Sequence, residues 1–382
     1  MDKINEIVRK IERGDIETGL NELKKIEKSA TLDEKYAIAE LYAKLGHIEK
    51  AKHLVDELLQ YAPDDGNLRI FQAELLIDLE REDEAIEMLM AIEEDDESFV
   101  RAQLILADLY QMQSLDEVAE QKLLLAEKKA PDEPIISYGL GLFYLERGDY
   151  MKSIPYLKKA IHAKESIDDD RIELYLAKAY SATGHFEEAI EYYRKGLKRH
   201  EDIDSLFGYG FTAYQLGEMA VAIKQLEKLK KLDPNYASLY PILARAYEAE
   251  EMLDEAMNVL KEGMAVDEYN ELLYVLAGKL SFKRQRPEEA VDYLREAIDL
   301  NPGNVEAVHT LASFLKFQER YDELEELIER LKEYGEVDPL LTWYEASVLK
   351  EKEMYDEAYA LFREVEQQFS TDIDFLEEYA FF

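Results

Sequence analysis

A small residue, or a substitute for it, returns along the chain at intervals close to 34 residues, each time after acidic residues and before an apolar one. We call each occurrence the anchor of one repeat. The eleven anchors are Gly19, Ala51, Ala85, Ala119, Ser153, Ala189, Ala222, Ala256, Ala290, Leu324 and Ala358. Successive anchors are 32, 34, 34, 34, 36, 33, 34, 34, 34 and 34 residues apart. A period of this length, kept along the whole chain, predicts an array of short structural units rather than two or three globular domains.

Two further features keep a fixed distance from the anchor. Twelve residues before it lies another small residue, as at Ala39, Ala177 and Gly278. Five residues before it, a glycine marks a turn in five of the repeats, at Gly14, Gly46, Gly148, Gly184 and Gly217. Apolar residues between these marks follow a helical period. The pattern therefore predicts two helical segments in each repeat, separated by a turn.

The repeat with the fullest set of marks runs from Leu174 to Leu197. It carries Leu176, Ala177, Tyr180, Gly184, Ala189 and Tyr193. This pattern resembles the tetratricopeptide repeat (TPR) family and, within that family, the all-repeat, acidic proteins of Firmicute bacteria. One departure is that the family's usual Trp near the start of each unit is absent. The single Trp, Trp343, lies one place beyond that position.

The resemblance implies an all-α fold in which each repeat is a pair of antiparallel helices that cross closely at the small residues. One pair buries too little apolar surface to be stable alone, so neighbouring pairs stack into an α-solenoid. We expect residues 1–382 to form a single right-handed TPR superhelix of about 11 helix-turn-helix repeats, with the first helices lining the inside. Residues 371–382 would then form the first helix of an incomplete further repeat, a partial twelfth.

The charge balance excludes some classes of partner. The 382 residues include 85 Asp and Glu against 46 Lys and Arg, a formal net charge of −39 at pH 7. Affinity for nucleic acid comes largely from cationic contacts, so no nucleic-acid partner is expected. The longest uncharged stretch is well short of the roughly 20 residues of a membrane-spanning helix, and the N-terminus lacks the apolar core of a signal peptide. We therefore expect a cytoplasmic protein with no membrane insertion.

No set of residues in the sequence has the spacing of a catalytic or cofactor site. Cysteine is absent, which excludes thiolate chemistry and Cys-ligated zinc. None of the six His is followed by a second His four residues later with an acid between them, as zinc hydrolases require, and no phosphate-binding Walker loop is present. We therefore predict that the protein is not an enzyme and binds neither a metal nor a cofactor.

The geometry of the TPR family places four positions of each first helix, spaced along one helical face, in the concave groove. The residues predicted to bind a partner there are Tyr138, Leu142, Lys178, Phe207, Phe211, Tyr214, Arg245, Lys279, Phe282, Lys316, Trp343 and Lys350. Early repeats place acids such as Glu40, Glu74 and Asp108 at these positions, whereas cations gather from Lys178 onward. We therefore predict a protein or peptide ligand with apolar and acidic groups. A competing interpretation is that neighbouring helices cover these side chains.

Two functions are compatible with these features. The first is a non-enzymatic scaffold or adaptor that holds a peptide, helix or partner protein in its concave groove. The second is a peptide-sensing regulatory protein that changes its superhelix shape when it binds a short signal peptide. Such regulators usually carry an additional effector domain, and here the repeats begin at the first residues, which favours the scaffold. A single sequence does not encode the identity of the partner.

The segment from Asp372 to Phe382 restarts the first-helix pattern, with Leu376, Tyr379 and Ala380 at the apolar and small positions. A solenoid normally ends in a unit with a polar outer face, because an uncovered end exposes the next stacking surface. Ending on Phe381 and Phe382 is the opposite arrangement. We expect either a longer parent protein or self-association through this C-terminal end. The competing interpretation is that so short a helix frays.

Overall fold

Helix is the only regular secondary structure in the computed structural model among the residues that it describes, which are 2–162, 167, 169–333, 335 and 338–382. These residues form 23 helices and no strand. None of these helices is long and apolar enough to cross a membrane. The helices group into two compact units, Met1–Thr183 and Gly184–Phe382, which we call the N-terminal unit and the C-terminal unit.

The helices follow the predicted repeats one by one. The N-terminal unit contains α1 Asp2–Glu12, α2 Ile16–Glu27, α3 Leu32–Lys44, α4 Ile48–Tyr61, α5 Gly66–Asp78, α6 Glu82–Met90, α7 Phe99–Met112, α8 Asp116–Lys129, α9 Pro134–Glu146, α10 Tyr150–His162 and α11 Ile172–Ala182. The C-terminal unit contains α12 Phe186–Gly196, α13 Ile203–Leu216, α14 Met219–Leu232, α15 Leu239–Ala249, α16 Leu253–Val266, α17 Glu271–Lys283, α18 Pro287–Leu300, α19 Val305–Phe317, α20 Tyr321–Glu333, α21 Pro339–Glu351, α22 Tyr355–Val365 and α23 Ile373–Tyr379. Odd-numbered helices are the first helices of the repeats and even-numbered helices the second, and α23 begins the twelfth.

The anchors lie on the second helices, and all of them are buried. The anchors are buried because the second helix lies close to the first helix at the small residue of that first helix. In one repeat the Ser153 hydroxyl donates to the Gly141 carbonyl oxygen at 2.7 Å. In another, a Cβ added at Gly278 would lie 2.6 Å from Leu294 and 3.2 Å from the Ala290 carbonyl oxygen. Little room for a larger side chain exists at such crossings, which confirms the role that the resemblance assigned to the small residues.

The turn between the two helices of each repeat has the same backbone conformation in all eleven repeats. The residue five places before the anchor has a φ between 57° and 92°, in the left-handed region. It is a glycine in the five repeats noted from the sequence, where this conformation carries no steric cost. In the other six repeats it is Glu80, Ser114, Glu251, Gln285, Glu319 or Glu353. A residue with a Cβ costs about 1 kcal/mol or more in this conformation.

First helices begin differently from second helices. A side-chain oxygen accepts a hydrogen bond from the first turn of α3, α5, α13, α19, α21 and α23, the capping residues being Thr31, Asp65, Asp202, Asn304, Asp338 and Asp372. Such caps contribute about 1 kcal/mol each. The second helices instead start directly after the left-handed turn. Local sequence therefore sets the start of these six first helices, and the left-handed turns set the start of the second helices.

Within each unit, helices pack on neighbours one or two places away in the described chain. The cores between them consist of aliphatic side chains, such as Ile38, Leu54 and Val55 in the N-terminal unit and Leu294 and Leu311 in the C-terminal unit. Burying one such side chain contributes about 1.5–3 kcal/mol. The result is an all-α solenoid arrangement, as predicted, whose stability is a sum over neighbouring repeats.

Candidate functional site

All twelve predicted site residues lie on first helices, and two of them line an open groove in the N-terminal unit. This α7–α9 groove has a volume of about 520 Å³. Its apolar walls are formed by Leu104, Met112, Leu123, Ile135, Leu142 and Phe143, and Tyr138 also lines it. Gly139 lines the groove next to Leu104 and Leu123 without a side chain of its own.

The same groove carries two carboxylates, Asp108 of α7 and Glu146 at the end of α9. The Gln111 side-chain amide donates to Glu146. No Lys, Arg or His of the described residues forms an ion pair with either carboxylate, and no group of three side chains in the described chain could hold a metal ion. Partial removal from water raises the pKa of Asp108, and the negative charge of Glu146 raises it further. The groove is therefore apolar with an uncompensated negative rim.

Tyr138 is held in place by the connection that precedes α11. Its hydroxyl donates to Asp169, which also accepts from the Arg171 backbone N–H at 2.8 Å and from its guanidinium at 3.0 Å. Arg171 in turn lies 5.4 Å from the centre of the Tyr175 ring. Burial and the hydrogen bond to Asp169 raise the pKa of Tyr138, so the phenol stays protonated and donates. One wall of the groove is thus ordered before any ligand arrives.

Four of the predicted aromatic residues of the C-terminal unit, Phe207, Phe211, Tyr214 and Phe282, are half-buried, and three of them lie against other rings. The Phe207 ring lies 6.2 Å from Phe211 and 5.1 Å from Tyr236. Farther along, the Phe282 ring stacks on Phe314 at 4.1 Å. These rings lie in two groups, Phe207, Phe211 and Tyr214 on α13 and Phe282, Phe314 and Phe317 on α17 and α19. We call the six rings together the aromatic face. Phe317 is 76% exposed, so this face has at least one ring open to solvent.

The predicted cations are mostly paired within the chain. Lys279 contacts Glu306 at 2.5 Å and Lys316 contacts Glu378 at 2.6 Å. Lys350 lies 3.8 Å from Glu351 and over the Phe381 ring. Only Lys178 and Arg245 lack an ion pair among the described residues. The predicted cationic row is therefore largely neutralised, because a chain with 85 acids brings carboxylates close to most of its cations.

Trp343 does not line an open groove, because α23 covers it. The residue is 6% exposed, its ring meets Phe375 edge-on at 5.3 Å, and its Nε1–H donates to Glu378 at 2.9 Å. The Lys316 ammonium lies 4.6 Å from the indole ring. The competing interpretation, that neighbouring helices cover the predicted residues, applies here. Trp343 is a core residue of the C-terminal unit and leaves the set of binding residues.

Glu378 of α23 contacts several of the side chains that this helix covers. It accepts hydrogen bonds from Trp343 and from the Ser347 hydroxyl at 2.7 Å, and it pairs with Lys316. Burial opposes ionisation, but the Lys316 charge and the hydrogen bonds outweigh it and lower the pKa of Glu378. We call Glu378, Lys316, Trp343 and Ser347 the terminal cluster. The buried ring of α23 is Phe375, whereas Leu376, to which the sequence pattern assigned an apolar packing position, is exposed.

Four residues of these surfaces are not among the residues predicted from the sequence: Glu146, Phe314, Phe317 and Glu378. Glu146 lies five residues after the small residue Gly141, outside the four groove positions considered. A search of the whole last turn of each first helix finds Glu146 and Phe317. The sequence around Glu378 does not indicate its contacts, because its hydrogen-bond partners lie more than 30 residues away in the chain.

Stacked helix pairs with small crossing residues and a left-handed turn define a helical-repeat protein of the TPR class. Sequence profiles of this class match along the chain: a YpiA-like tetratricopeptide repeat profile at residues 111–165, two tetratricopeptide repeat profiles at 174–237 and 281–341, and the ARM repeat profile of tetratricopeptide repeat protein 21 at 35–119. The chain belongs to the tetratricopeptide repeat family.

Among curated proteins, the chain is similar to the TPR repeat-containing protein YpiA of Bacillus subtilis (strain 168). The two are 43% identical over 379 residues, which cover 99% of this chain and 90% of that protein. A shorter match links it to the DnaJ homolog subfamily C member 3 of Bos taurus, 23% identical over 141 residues, 33% of this chain and 28% of that one. Among solved structures, it resembles YrrB, described as a TPR protein with an unusual peptide-binding site. That likeness has a TM-score of 0.44 and 19% identity, and covers 49% of this chain and 96% of YrrB.

Proposed function

We propose that this protein is a non-enzymatic interaction scaffold that binds a peptide, a helix or a partner protein on its first helices. The observation that carries the proposal is the α7–α9 groove. Its volume of about 520 Å³ falls in the range of roughly 300–1,000 Å³ that is typical of ligand sites. Apolar walls with a few polar groups are the usual composition of such sites. Membership of the TPR family supports an interaction role of this kind.

The rigid wall at Tyr138 favours binding for an entropic reason. Because its phenol is already held by Asp169, little side-chain freedom remains to be lost when a ligand enters. An apolar side chain that fills the space beside Leu142 gains about 1.5–3 kcal/mol from burial. Micromolar affinity corresponds to about 8 kcal/mol net, and association itself costs at least about 4 kcal/mol, so such a ligand must bury several apolar side chains.

The aromatic face of the C-terminal unit is the second surface in the proposal. Exposed rings are typical anchors of protein interfaces, and Phe317 is open to solvent. The predicted preference for acidic groups now depends mainly on Arg245 here and on Lys178 in the N-terminal unit, since the other three cations are paired. We keep an apolar and acidic ligand as the expectation for this face.

Affinity capture from extracts of the native cells tests the scaffold. We expect partners captured by the wild-type chain to be lost from the double variant Ile135→Ser, Leu142→Ser. The matched control is Leu124→Ser, which removes an exposed apolar side chain of α8 outside the groove. The variant Phe211→Ala, Tyr214→Ala tests the aromatic face in the same way. An unchanged set of partners in both groove and face variants would contradict the proposal.

Self-association through the C-terminal end remains a prediction. Ile373 is 71% exposed and Phe381 is 61% exposed, beside the exposed rings of Tyr355 and Tyr359. Sedimentation velocity at increasing concentration should show dimers for the wild type and fewer for Phe381→Ser with Phe382→Ser. Two other predictions also await measurement: the cytoplasmic compartment, by cell fractionation, and a single solenoid over residues 1–382, by small-angle X-ray scattering.

A further inference from the structure

Three consecutive first helices of the N-terminal unit, α3, α5 and α7, carry an acid at the position directly after the small crossing residue, whereas α9 has Leu142 and α11 has Lys178 there. These acids are Glu40 on α3, Glu74 on α5 and Asp108 on α7. Glu74 is paired with Arg101, but Glu40 and Asp108 have no ion pair among the described side chains. Uncompensated negative charge therefore lies at this position on α3 and α7, and Glu146 adds a further carboxylate at the end of α9.

Apolar side chains lie beside these acids on the same helices. The Tyr36 ring of α3 meets Phe71 of α5 edge-on at 5.6 Å, and both are half-buried. Leu104 of α7 and Leu142 of α9 continue the apolar surface into the α7–α9 groove. The face therefore combines apolar contact area with uncompensated carboxylates, whereas in the C-terminal unit Arg245 is the one predicted site cation without an ion pair among the described residues.

We infer that the first-helix face of the N-terminal unit binds a segment that carries basic side chains beside apolar ones, with a Lys or Arg placed between Asp108 and Glu146. The inference rests on the proposed scaffold function and specifies the partner of its main groove. The charge is opposite to the one expected for the C-terminal unit. One chain would then offer two faces that select ligands of opposite charge.

Charge complementarity is the physical reason. A cation from the ligand relieves the repulsion between Asp108 and Glu146, both of which line the groove, and it also offsets the burial and the Glu146 charge that raise the pKa of Asp108. An acidic ligand would instead meet like charge both locally and from the net charge of −39. Like-charge contacts suppress wrong partners more strongly than rim ion pairs add affinity, so specificity is the expected gain.

A pair of synthetic helical peptides tests the inference with the full chain. Both have the same length and the same Leu and Phe positions, and one carries Lys where the other carries Glu. Fluorescence anisotropy should give a dissociation constant at least about tenfold lower for the Lys peptide, a typical electrostatic effect. We expect Asp108→Asn with Glu146→Gln to bring the two affinities close together, and Asp108→Lys with Glu146→Lys to reverse their order.

The matched control for the reversal is Glu94→Lys with Asp95→Lys. It changes the net charge equally at exposed positions in the connection after α6. An equal loss of Lys-peptide affinity in this control would show diffuse attraction and overturn the inference, as would no detectable binding of the Lys peptide to the wild type.

The peptides also separate the inference from the scaffold proposal. If the wild type prefers the Glu peptide and Leu142→Ser removes that binding, the groove stands and its assigned charge preference is wrong. If Leu142→Ser changes neither the peptide affinities nor the set of captured partners, the groove is not a binding site. The scaffold proposal for this groove and the inference are then both wrong. Circular dichroism of each variant excludes misfolding as the cause of any loss.

Discussion

The α7–α9 groove and the terminal cluster both involve side chains of first helices, and they differ in what covers them. In the groove, Asp108 and Glu146 have no cation beside them within the described chain. In the terminal cluster, Glu378 of α23 pairs with Lys316 and accepts two hydrogen bonds. The groove has uncompensated negative charge and open volume, whereas the terminal cluster is closed by α23.

The difference shows that residue type alone does not make a first-helix face a binding surface. Trp343 belongs to a residue type that is enriched at interfaces, yet it is buried among residues of its own chain. Leu142 and Asp108 are ordinary residue types, yet they line an open groove. A first-helix surface is open to a ligand or closed according to whether the next first helix supplies a side chain that covers it or pairs with its charges.

The largest expected effect comes from Trp343→Ala. Removing a buried ring at the end of the C-terminal unit should cost about 3–5 kcal/mol of local stability. Hydrogen exchange of α21 and α23 measures it, because repeat arrays open locally rather than all at once. Phe317→Ala, which removes an exposed ring, is the control and should change stability by less than about 0.5 kcal/mol. Equal effects of the two variants would mean that Trp343 is not core.

The next effect concerns Glu378→Gln. The substitution leaves the Lys316 charge uncompensated beside Trp343 and weakens charge-assisted hydrogen bonds, which are worth about 1.5–3 kcal/mol. Denaturation followed by the fluorescence of Trp343, the single Trp, reports on this region directly. Glu377→Gln, on the exposed side of α23, should have little effect. If both substitutions are neutral, the terminal cluster does not stabilise the chain end.

The same carboxylate predicts a pH dependence with a definite sign. Because the folded pKa of Glu378 lies below its unfolded value, its stabilisation is complete above the ordinary Glu pKa and is lost as the pH falls through the folded pKa. The difference in unfolding free energy between wild type and Glu378→Gln should therefore shrink as the pH falls below about 4. A difference that stays constant down to pH 3 would contradict this assignment.

Two opposite substitutions at the left-handed turns, Gly to Ala in one repeat and Glu to Gly in another, should each change the free energy of unfolding by about 1 kcal/mol or less. Gly46→Ala in the N-terminal unit meets no neighbouring atom, so its cost of about 1 kcal/mol is purely conformational. Glu353→Gly in the C-terminal unit removes the same strain, and the greater freedom of the unfolded glycine reduces the gain below about 1 kcal/mol. Melting temperatures should move in opposite directions, and a shift in the same direction would show that other contacts control these turns.

The smallest effect is expected for Asp108→Asn. Its folded pKa is raised, so ionisation destabilises the folded chain above that pKa, and removing the charge should stabilise it at pH 7. Solvent screening limits the gain to less than about 0.5 kcal/mol. Calorimetry at pH 7 tests the sign. A loss of stability would show that Asp108 has a stabilising partner and would weaken the contrast with Glu378.

Most of the fold could be predicted because the same pattern of residues recurs in each repeat. The anchors located eleven helix pairs and a single further helix, and local features such as the Asp372 cap then set individual helix ends. Six left-handed turns were missed because their residues are not glycine, although the constant distance to the anchor would have located them.

The site was less predictable, because it depends on pairings between repeats. Tyr138 and Leu142 were found from one helical face, which is a local property. That Trp343 is covered depends on Glu378 and Phe375, more than 30 residues farther along the chain. Periodicity places side chains on a face, but it does not indicate which carboxylate reaches which cation.

The constant distance inside each repeat has a consequence for changes in chain length. From Ala39 and Ala51 to Ala346 and Ala358, the small residue and its anchor are always 12 residues apart. The distance from an anchor to the next small residue varies between 20 and 24. Insertions are therefore tolerated in the connections between hairpins and not in the turns within them. A fluorescent domain or an affinity tag placed in an exposed connection, such as Glu93–Glu97, should leave the helices on both sides folded.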